Sequence, residues 1–251
     1  MKMRDVVSQY YQRLANSRTA VRWRLPDLDP DTRAIYHRVA PYTMTSPERI
    51  AAVCDAVRYV SKANLPGAYV ECGVWRGGSS MAAALTLKAV GDTERHLWLF
   101  DTFEGMSAPT EHDMRAEDSR SAIELLERST TSEKIWCRAS IEDVSTNMAL
   151  TGYPAHKITL CKGKVEDTLP AQAPEKIAIL RLDTDWYEST RHELNELFPR
   201  LVQGGVLIID DYGYWAGARK AVDEYFTDRP VLLNRIDQTG RIAIKTTDGP
   251  A

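Results

Sequence analysis

The sequence has no apolar run long enough to cross a bilayer and no large excess of charge of one sign. A spanning helix needs about 20 apolar residues, and the longest stretches here, such as GGVLIID at 204–210, are far shorter. The basic N-terminus is not followed by the apolar segment of a signal peptide. The net charge of −3 gives no reason to expect a nucleic-acid partner. The sequence is therefore predicted neither to span a membrane nor to bind nucleic acid.

Cysteine is also scarce and is not spaced as in a metal site. The chain has 4 cysteines, which are Cys54, Cys72, Cys137 and Cys161. Cys72 and Cys161 fall within predicted strands, where a free buried thiol is common. We therefore expect free thiols in a reducing cytoplasm.

The N-terminal segment is basic, and its apolar residues recur every three or four positions. This spacing predicts an amphipathic helical arm within residues 1–45, before a main domain at 46–251. A packed arm or a dimer element is favoured over a membrane-surface helix. Tyr10 and Tyr11 on this arm favour a homodimer or a higher homo-oligomer.

After the arm, short apolar strands alternate with helices. A helix begins after Thr45 or Ser46, with Pro47 in its first turn, and ends at NLPG. The predicted strands are 68–73, 96–101, 157–163, 177–183 and 204–211, followed by an antiparallel hairpin of 231–237 and 241–246. This order indicates an α/β fold with a parallel sheet and helices on both faces, whose ligand lies beyond the carboxyl ends of the strands.

A glycine turn, YVECGVWRGGSS at 69–80, follows the first strand. Gly73 allows the backbone to approach a ligand, and Ser79 or Ser80 begins the next helix. Trp75 stands where a dinucleotide fingerprint requires glycine, which disfavours NAD and FAD. Glu71 would repel a pyrophosphate but suits a cationic ligand such as a sulfonium. The alternative is a plain tight turn between strand and helix.

Asp101 ends the second strand, where a carboxylate can accept both hydroxyls of a ribose. The alternative for Asp101 is a helix cap or a surface turn. Phe103 is predicted either to stack near the base or to cover the core. The polar segment at about 104–134 is long for a connection and leaves from the ligand edge, so it is predicted to be a lid.

Three carboxylates end two strands that are consecutive in sequence. If the strands are neighbours, Asp183, Asp210 and Asp211 converge and would raise one another's pKa. Carboxylate oxygens without histidine or thiolate suit Mg²⁺, whereas helix capping explains one of these acids but not the group. Asp185 is then free to act as a general base, with His112 and His192 as competing candidates.

Five ordered sequence blocks resemble the macrocin O-methyltransferase family, whose members methylate sugar hydroxyls of macrolides and aminocoumarins. The blocks are YTMTSPERI, YVECGVWRGGSS, LFDTFEGM, LRLDTDWYEST and GGVLIIDDY, within about 42–226. The resemblance implies a Rossmann-like class I methyltransferase dependent on S-adenosylmethionine, with a seven-stranded, mainly parallel sheet whose last strand is antiparallel. It also implies a Mg²⁺ ion on Asp183, Asp210 and Asp211, and a general base at Asp185. Catechol methyltransferases have Asp-Asn where this chain has Asp-Asp.

The glycine turn and the strand ends predict the residues of the donor pocket, and the identity of the acceptor stays open. Residues expected to hold S-adenosylmethionine are Glu71, Gly73, Ser79, Ser80, Asp101 and Phe103, with Ser140 and Val165 at the adenine. The N-terminal segment is expected to shape the acceptor pocket. The expected acceptor is the sugar of a glycosylated natural product, bound to Mg²⁺ through two adjacent hydroxyls. The alternatives are a catechol-like diol acceptor and a non-catalytic homologue that binds the donor or a sugar.

Overall fold

The computed structural model describes residues 27–129 and 136–246. Most of the predicted N-terminal arm, including Tyr10 and Tyr11, lies outside these residues, as do positions 130–134 of the predicted lid. The dimer expectation depends on that arm and stays a prediction. Within the described part of the chain, no helix combines the length and the apolar character that a bilayer span requires.

Seven strands form one sheet in the order β3-β2-β1-β4-β5-β7-β6. The strands are β1 (Ala68–Cys72), β2 (Leu97–Asp101), β3 (Ile158–Lys162), β4 (Ile177–Leu182), β5 (Leu201–Ile209), β6 (Asn234–Arg235) and β7 (Arg241–Ile244). The first five are parallel, and β7 pairs antiparallel with both β5 and β6. The predicted sheet, including its antiparallel last strand and its terminal hairpin, is confirmed.

Helices cover both faces of this sheet. They are α1 (Pro30–Val39), α2 (Pro47–Lys62), α3 (Gly78–Val90), α4 (Ala122–Glu127), α5 (Ile141–Ala149), α6 (Val165–Thr168), α7 (Tyr187–Leu197) and α8 (Ala216–Tyr225). The α2 helix begins as predicted, because the Ser46 hydroxyl accepts the Arg49 amide at 3.2 Å and caps the first turn.

Two hydrophobic cores stabilise the sheet, one on each face. One core joins α1, α2, α3 and α5 to the sheet, and the other joins α6, α7 and α8 to its opposite face. Every residue of β1 and β4 is buried, as expected for central strands of a covered parallel sheet. The four cysteines are free thiols.

The register of β4 and β5 sets the position of the acids. Leu182 is paired with Ile209, so the residues that follow each strand emerge side by side at the carboxyl edge. The amide of Asp210 donates to the Leu182 carbonyl at 2.9 Å, and the amide of Asp183 donates to the Cys72 carbonyl at 2.9 Å. The carboxyl ends of β1, β4 and β5 therefore meet, as predicted.

Candidate active site

One large cavity opens at the carboxyl edge of the sheet. Its volume is about 1000 Å³, and its wall combines strand ends, the glycine turn and the loop between β6 and β7. Ligand pockets in proteins generally range over about 300–1000 Å³, so this space can hold two small molecules at once. The predicted residues that line it are Glu71, Gly73, Ser79, Asp101, Val165, Asp183, Asp185, Asp210 and Asp211.

The glycine turn brings the ends of β1 and β4 into direct contact. Gly73 has φ +82°, and a Cβ atom there would overlap the backbone carbonyl of Asp183. Glycine is therefore required for both the backbone conformation and the space. Ser79 is buried and lines the cavity. Ser80 instead turns its hydroxyl to the Glu71 carboxylate, so it supports that acid from behind.

Asp101 is held rigidly at the end of β2. One carboxylate oxygen accepts the amides of Val74 and Trp75 at 2.7 and 3.0 Å, and the other accepts the Phe103 amide at 2.8 Å. Burial raises the pKa of Asp101, and the backbone N–H groups oppose that shift. Asp101 is thus a fixed carboxylate in the cavity lining, and its contact with a ribose stays a prediction.

The other residues predicted to bind S-adenosylmethionine lie in two different places. Val165 lies in the main cavity at the start of α6. Phe103 is 95% buried in the core and Ser140 caps α5 by accepting the Asp143 amide at 3.2 Å. These two residues line a smaller surface pocket with Glu104 and Arg138 instead of the main cavity.

A buried arginine that the sequence interpretation missed lies among the acids. Arg181 is 0% exposed within β4. Its Nη1 donates to Glu71 at 2.6 Å and to Asp183 at 2.7 Å. Its Nη2 donates to Asp210 and, at 3.1 Å, to the hydroxyl of Thr45. This guanidinium pairs several of the carboxylates at the strand ends, because a buried charge without a partner is strongly unfavourable.

Asp210 faces arginines on two sides. One oxygen accepts from Arg181, and the other accepts from Arg49 of α2. Burial would raise the pKa of Asp210, but these two charges hold it below its ordinary value. Arg49 also donates to Asp237 at 3.0 Å, and Asp237 in turn accepts the amides of Thr239 and Gly240 at 2.9 and 2.7 Å. The turn between β6 and β7 is therefore fixed to the carboxyl edge.

The remaining acids form a compact cluster that suits a metal ion. Asp183, Asp185 and Asp211 each offer an oxygen, and these atoms lie within 4.8 Å of one another. Oδ2 of Asp211 is buried and has no hydrogen-bond donor among the described residues. Three carboxylates this close, without histidine or thiolate, have the chemistry of a Mg²⁺ site. The cluster differs from the predicted set by containing Asp185 in place of Asp210.

The electrostatics of this cluster favour a cation. Burial, followed by the charges of neighbouring acids, raises the pKa of Asp211 far above its ordinary value. The pKa of Asp183 is raised in the same direction, chiefly by burial. Burial also raises the pKa of Asp185 to about 7. A divalent cation would reverse these shifts because it stabilises the charged forms.

Aromatic side chains form the cavity wall beside Asp185. The rings of Trp186 and Trp215 meet edge to face with centroids 4.9 Å apart, and both line the cavity. The indole of Trp186 donates to the Ser107 carbonyl at 3.0 Å. Met106 packs against the same cluster. The wall therefore combines an apolar surface with the polar acid cluster.

The segment that leaves β2 supplies part of this wall and is anchored by a buried aspartate. Asp113 accepts the Tyr187 amide at 2.8 Å and the Thr110 amide at 2.7 Å. Arg115 forms a backbone bridge with Trp215. The described part of the predicted lid is thus attached to the start of α7 and to the loop before α8.

The two histidines considered as bases lie elsewhere. The imidazole of His112 contacts Lys220 Nζ and the Tyr187 ring, and His192 lies 3.4 Å from the Leu169 carbonyl. Neither lines the cavity. Asp185 is therefore the better placed candidate base.

Comparison with known proteins gives concordant matches across the chain. The profile of the Macrocin-O-methyltransferase (TylF) family matches residues 2–243. The chain is 34% identical to a tetracenomycin-C rhamnosyl 4'-O-methyltransferase of Streptomyces olivaceus, with 95% of this chain and 88% of that protein aligned. It is 33% identical to the mycinamicin III 3''-O-methyltransferase of Micromonospora griseorubida, over 80% and 76% of the two chains. The solved structure of the O-methyltransferase NovP superposes with a TM-score of 0.71 and 31% identity, over 82% and 83% of the two chains.

Proposed function

The chain belongs to the macrocin O-methyltransferase family, and from its site we propose that it methylates a sugar hydroxyl of a glycosylated natural product. The methyl donor is S-adenosylmethionine, and the reaction depends on Mg²⁺. The acid cluster at the cavity edge, beside the Gly73 turn and Asp101, is the observation that carries this proposal. The relatives act on a rhamnosyl tetracenomycin and on mycinamicin III, which supports a glycoside acceptor here.

The donor occupies the half of the cavity lined by β1, β2 and the loop after β3. Asp101 accepts the ribose hydroxyls, since it lines the cavity at the end of β2 and backbone amides fix its position there. Gly73 allows the methionine portion to approach the backbone, with Ser79 beside it. Val165 lies at the adenine. Glu71 is already paired with Arg181, so it orders this wall more than it attracts the donor by its charge.

Asp183 and Asp211 belong to both the predicted set and the observed cluster, so these two residues would hold the cation. The third position is Asp210 in the predicted set and Asp185 in the cluster. A bound divalent cation would lower the pKa of a hydroxyl and fix two adjacent oxygens. Both oxygens of Asp210 accept from arginines, whereas Arg181 contacts Asp183 through Oδ2. Asp185 is therefore the better candidate for the third ligand.

Asp185 is the general base. Its carboxylate takes the proton of the acceptor hydroxyl as the oxygen–carbon bond forms and the carbon–sulfur bond of the donor breaks, which leaves S-adenosylhomocysteine. In-line transfer requires the two ligands to be held in alignment. The wall of Trp186 and Trp215 packs against the acceptor and excludes water from this region.

A three-part assay tests the proposal. Isothermal titration should show binding of S-adenosylhomocysteine to the wild type. Mass spectrometry with rhamnosyl glycosides should show one added methyl group, lost with EDTA and restored with Mg²⁺. Catechol serves as the comparison acceptor. Full turnover after complete removal of divalent cations would contradict the metal assignment, and Mn²⁺ titration of Asp210→Asn and Asp185→Asn would identify the third ligand.

A further inference from the structure

Glu193 is a carboxylic acid buried inside an apolar core. It is 0% exposed within α7, and its neighbours Leu194 and Leu197 belong to the core that packs this helix against the sheet. Among residues 27–129 and 136–246, neither of its carboxyl oxygens completes a hydrogen bond. Burying a polar group in this way costs free energy. A group that the fold buries without using it calls for another explanation.

The carboxyl of Glu193 faces the turn that carries the acid cluster. Burial raises the pKa of Glu193 far above its ordinary value, whereas the hydroxyl of Thr184 and the thiol of Cys72 face the carboxyl and oppose that rise. Oγ1 of Thr184 is likewise buried without a hydrogen bond in the described part of the chain. Thr184 stands between Asp183 and Asp185 and lines the main cavity. Glu193 and Thr184 thus form one polar contact between the core and the acid cluster.

The turn at Thr184 holds Asp185 in a strained conformation. Asp185 has φ +69°, in the left-handed region, where a residue with a Cβ atom is disfavoured. The Trp186 amide donates to the Thr184 carbonyl at 2.8 Å, which fixes one side of the turn. Strain of this kind persists only where the surrounding structure enforces it. Because Thr184 directly precedes Asp185, a constraint on the Thr184 side chain also constrains the Asp185 backbone.

We propose that Glu193 is a positioning residue for the reaction, which acts through Thr184 to hold the strained turn at Asp185. This inference rests on the proposed function. A neutral carboxyl can donate to the buried hydroxyl and accept from it, and a glutamine amide can do the same. Leucine would suit the core better, since it has no polar group to bury. The chain therefore keeps a residue that is unfavourable for stability at a place where it serves the site.

Steady-state kinetics of two variants test this role. Glu193→Gln keeps a donor and an acceptor, so its kcat should stay within about threefold of the wild type. Glu193→Leu removes both and should lower kcat by about tenfold or more, because a small displacement of a catalytic group has a large effect on rate. KM for S-adenosylmethionine should be unchanged in both. Glu196→Leu makes the same substitution on the same helix, at a residue that does not line the main cavity, and should keep full kcat. Full kcat in Glu193→Leu would overturn the proposal.

Thermal unfolding distinguishes positioning from a purely structural role. Glu193→Leu should have a Tm equal to or above that of the wild type, because it removes a buried polar group. A fall in kcat that comes with a marked fall in Tm, and that Glu193→Gln does not rescue, would make Glu193 structural. Thr184→Val should show the same loss of kcat, and the double variant with Glu193→Leu should lose no more than either single variant. Additive losses would mean that the two residues act separately.

Titration with Mn²⁺ gives a readout that needs no acceptor. Glu193→Leu should bind the cation about tenfold more weakly, as expected when the support of a metal ligand is lost. Glu196→Leu should bind it as the wild type does. Unchanged affinity in Glu193→Leu would overturn the positioning role even if no glycoside is methylated. A wild type that binds Mn²⁺ but transfers no methyl group would contradict the proposed function instead.

Discussion

Arg181 donates from Nη1 to Oε1 of Glu71 at 2.6 Å, although the two residues are 110 positions apart. The same guanidinium also contacts Asp183 and Asp210. A single buried charge therefore joins the carboxylate of β1 to the acids that follow β4 and β5. The Arg181 guanidinium thus links three strands at the carboxyl edge of the sheet.

Replacing Arg181 should destabilise the protein strongly. Arg181→Met leaves Glu71 and Asp210 buried with fewer partners, and breaking a buried pair in this way costs about 3–5 kcal/mol. Urea unfolding measures the loss. The double variant Arg181→Met with Glu71→Gln should lose less than the sum of the two single variants, because it removes one of the stranded charges. Simple additivity would mean that the pair is not coupled.

Asp185→Asn should stop chemistry without preventing donor binding. Loss of a general base lowers turnover by about 10²–10⁴-fold, and asparagine keeps the shape of the side chain. Burial raises the pKa of Asp185 to about 7, so the wild-type rate should rise with pH as the carboxylate forms. A bound cation would move this rise in rate to lower pH. In Asp185→Asn the rise should be absent. Rate–pH profiles and titration of S-adenosylhomocysteine check both expectations.

The cation should stabilise the protein more at high pH than at low pH. An unfolded aspartate titrates near about 3.9, whereas the pKa of Asp185 is about 7 in the fold. Between these values the unfolded chain loses its proton first, so the stability of the cation-free protein falls as pH rises. The gain in Tm on adding Mg²⁺ should therefore be larger at pH 8 than at pH 5. An equal gain at both values would argue against the acid cluster as the ion's site.

Gly73→Ala should be much more damaging than Gly91→Ala. Both glycines have a left-handed backbone, with φ of +82° and +78°. A methyl group at position 73 meets the Asp183 carbonyl, whereas nothing lies within 4 Å of position 91. Both variants carry the same penalty for a left-handed alanine, about 1–2 kcal/mol. The difference between their unfolding free energies therefore measures the clash at position 73 alone. Donor binding should survive only in Gly91→Ala.

Asp113→Ala should loosen the segment that leaves β2. The aspartate is 0% exposed and accepts amides from Thr110 and from Tyr187 at the start of α7. Its loss leaves these donors unpaired, which costs about 1–3 kcal/mol each. Because this segment lines the cavity with Trp186 and Trp215, where we propose that the acceptor binds, KM for a glycoside should rise more than KM for the donor. Faster proteolysis within residues 104–129 would support the same interpretation.

The sheet and the meeting of its acids could be predicted, since both follow from local patterns. Short apolar strands alternating with helices indicate a parallel sheet, and such a sheet places its strand ends on one edge. The positions of Asp183 and Asp211 at this edge follow directly from that rule. Ser140 caps a helix by accepting the Asp143 amide three residues later, and its position at the adenine stays a prediction.

The arginines could not be assigned from sequence because their partners are distant in the chain. Arg181 interrupts an apolar strand, which was the available signal, but its contacts with Glu71 and Asp210 require the folded sheet. Arg49 looks like an ordinary charged position of an amphipathic helix. These two arginines hold the Asp210 carboxylate. Which acids belong to the cluster therefore depends on tertiary contacts that the sequence does not reveal.

The fixed turn between β6 and β7 has a consequence for biosynthesis. Asp237 holds Arg49, and Arg49 in turn holds Asp210, so the pocket is completed by residues from near the two ends of the described chain. A ribosome must release the chain beyond residue 237 before this pocket can close, since domains generally fold as units during translation. Nascent chains halted before residue 237 should therefore leave Arg49 and Asp210 without their final constraint, and should capture nucleoside ligands poorly.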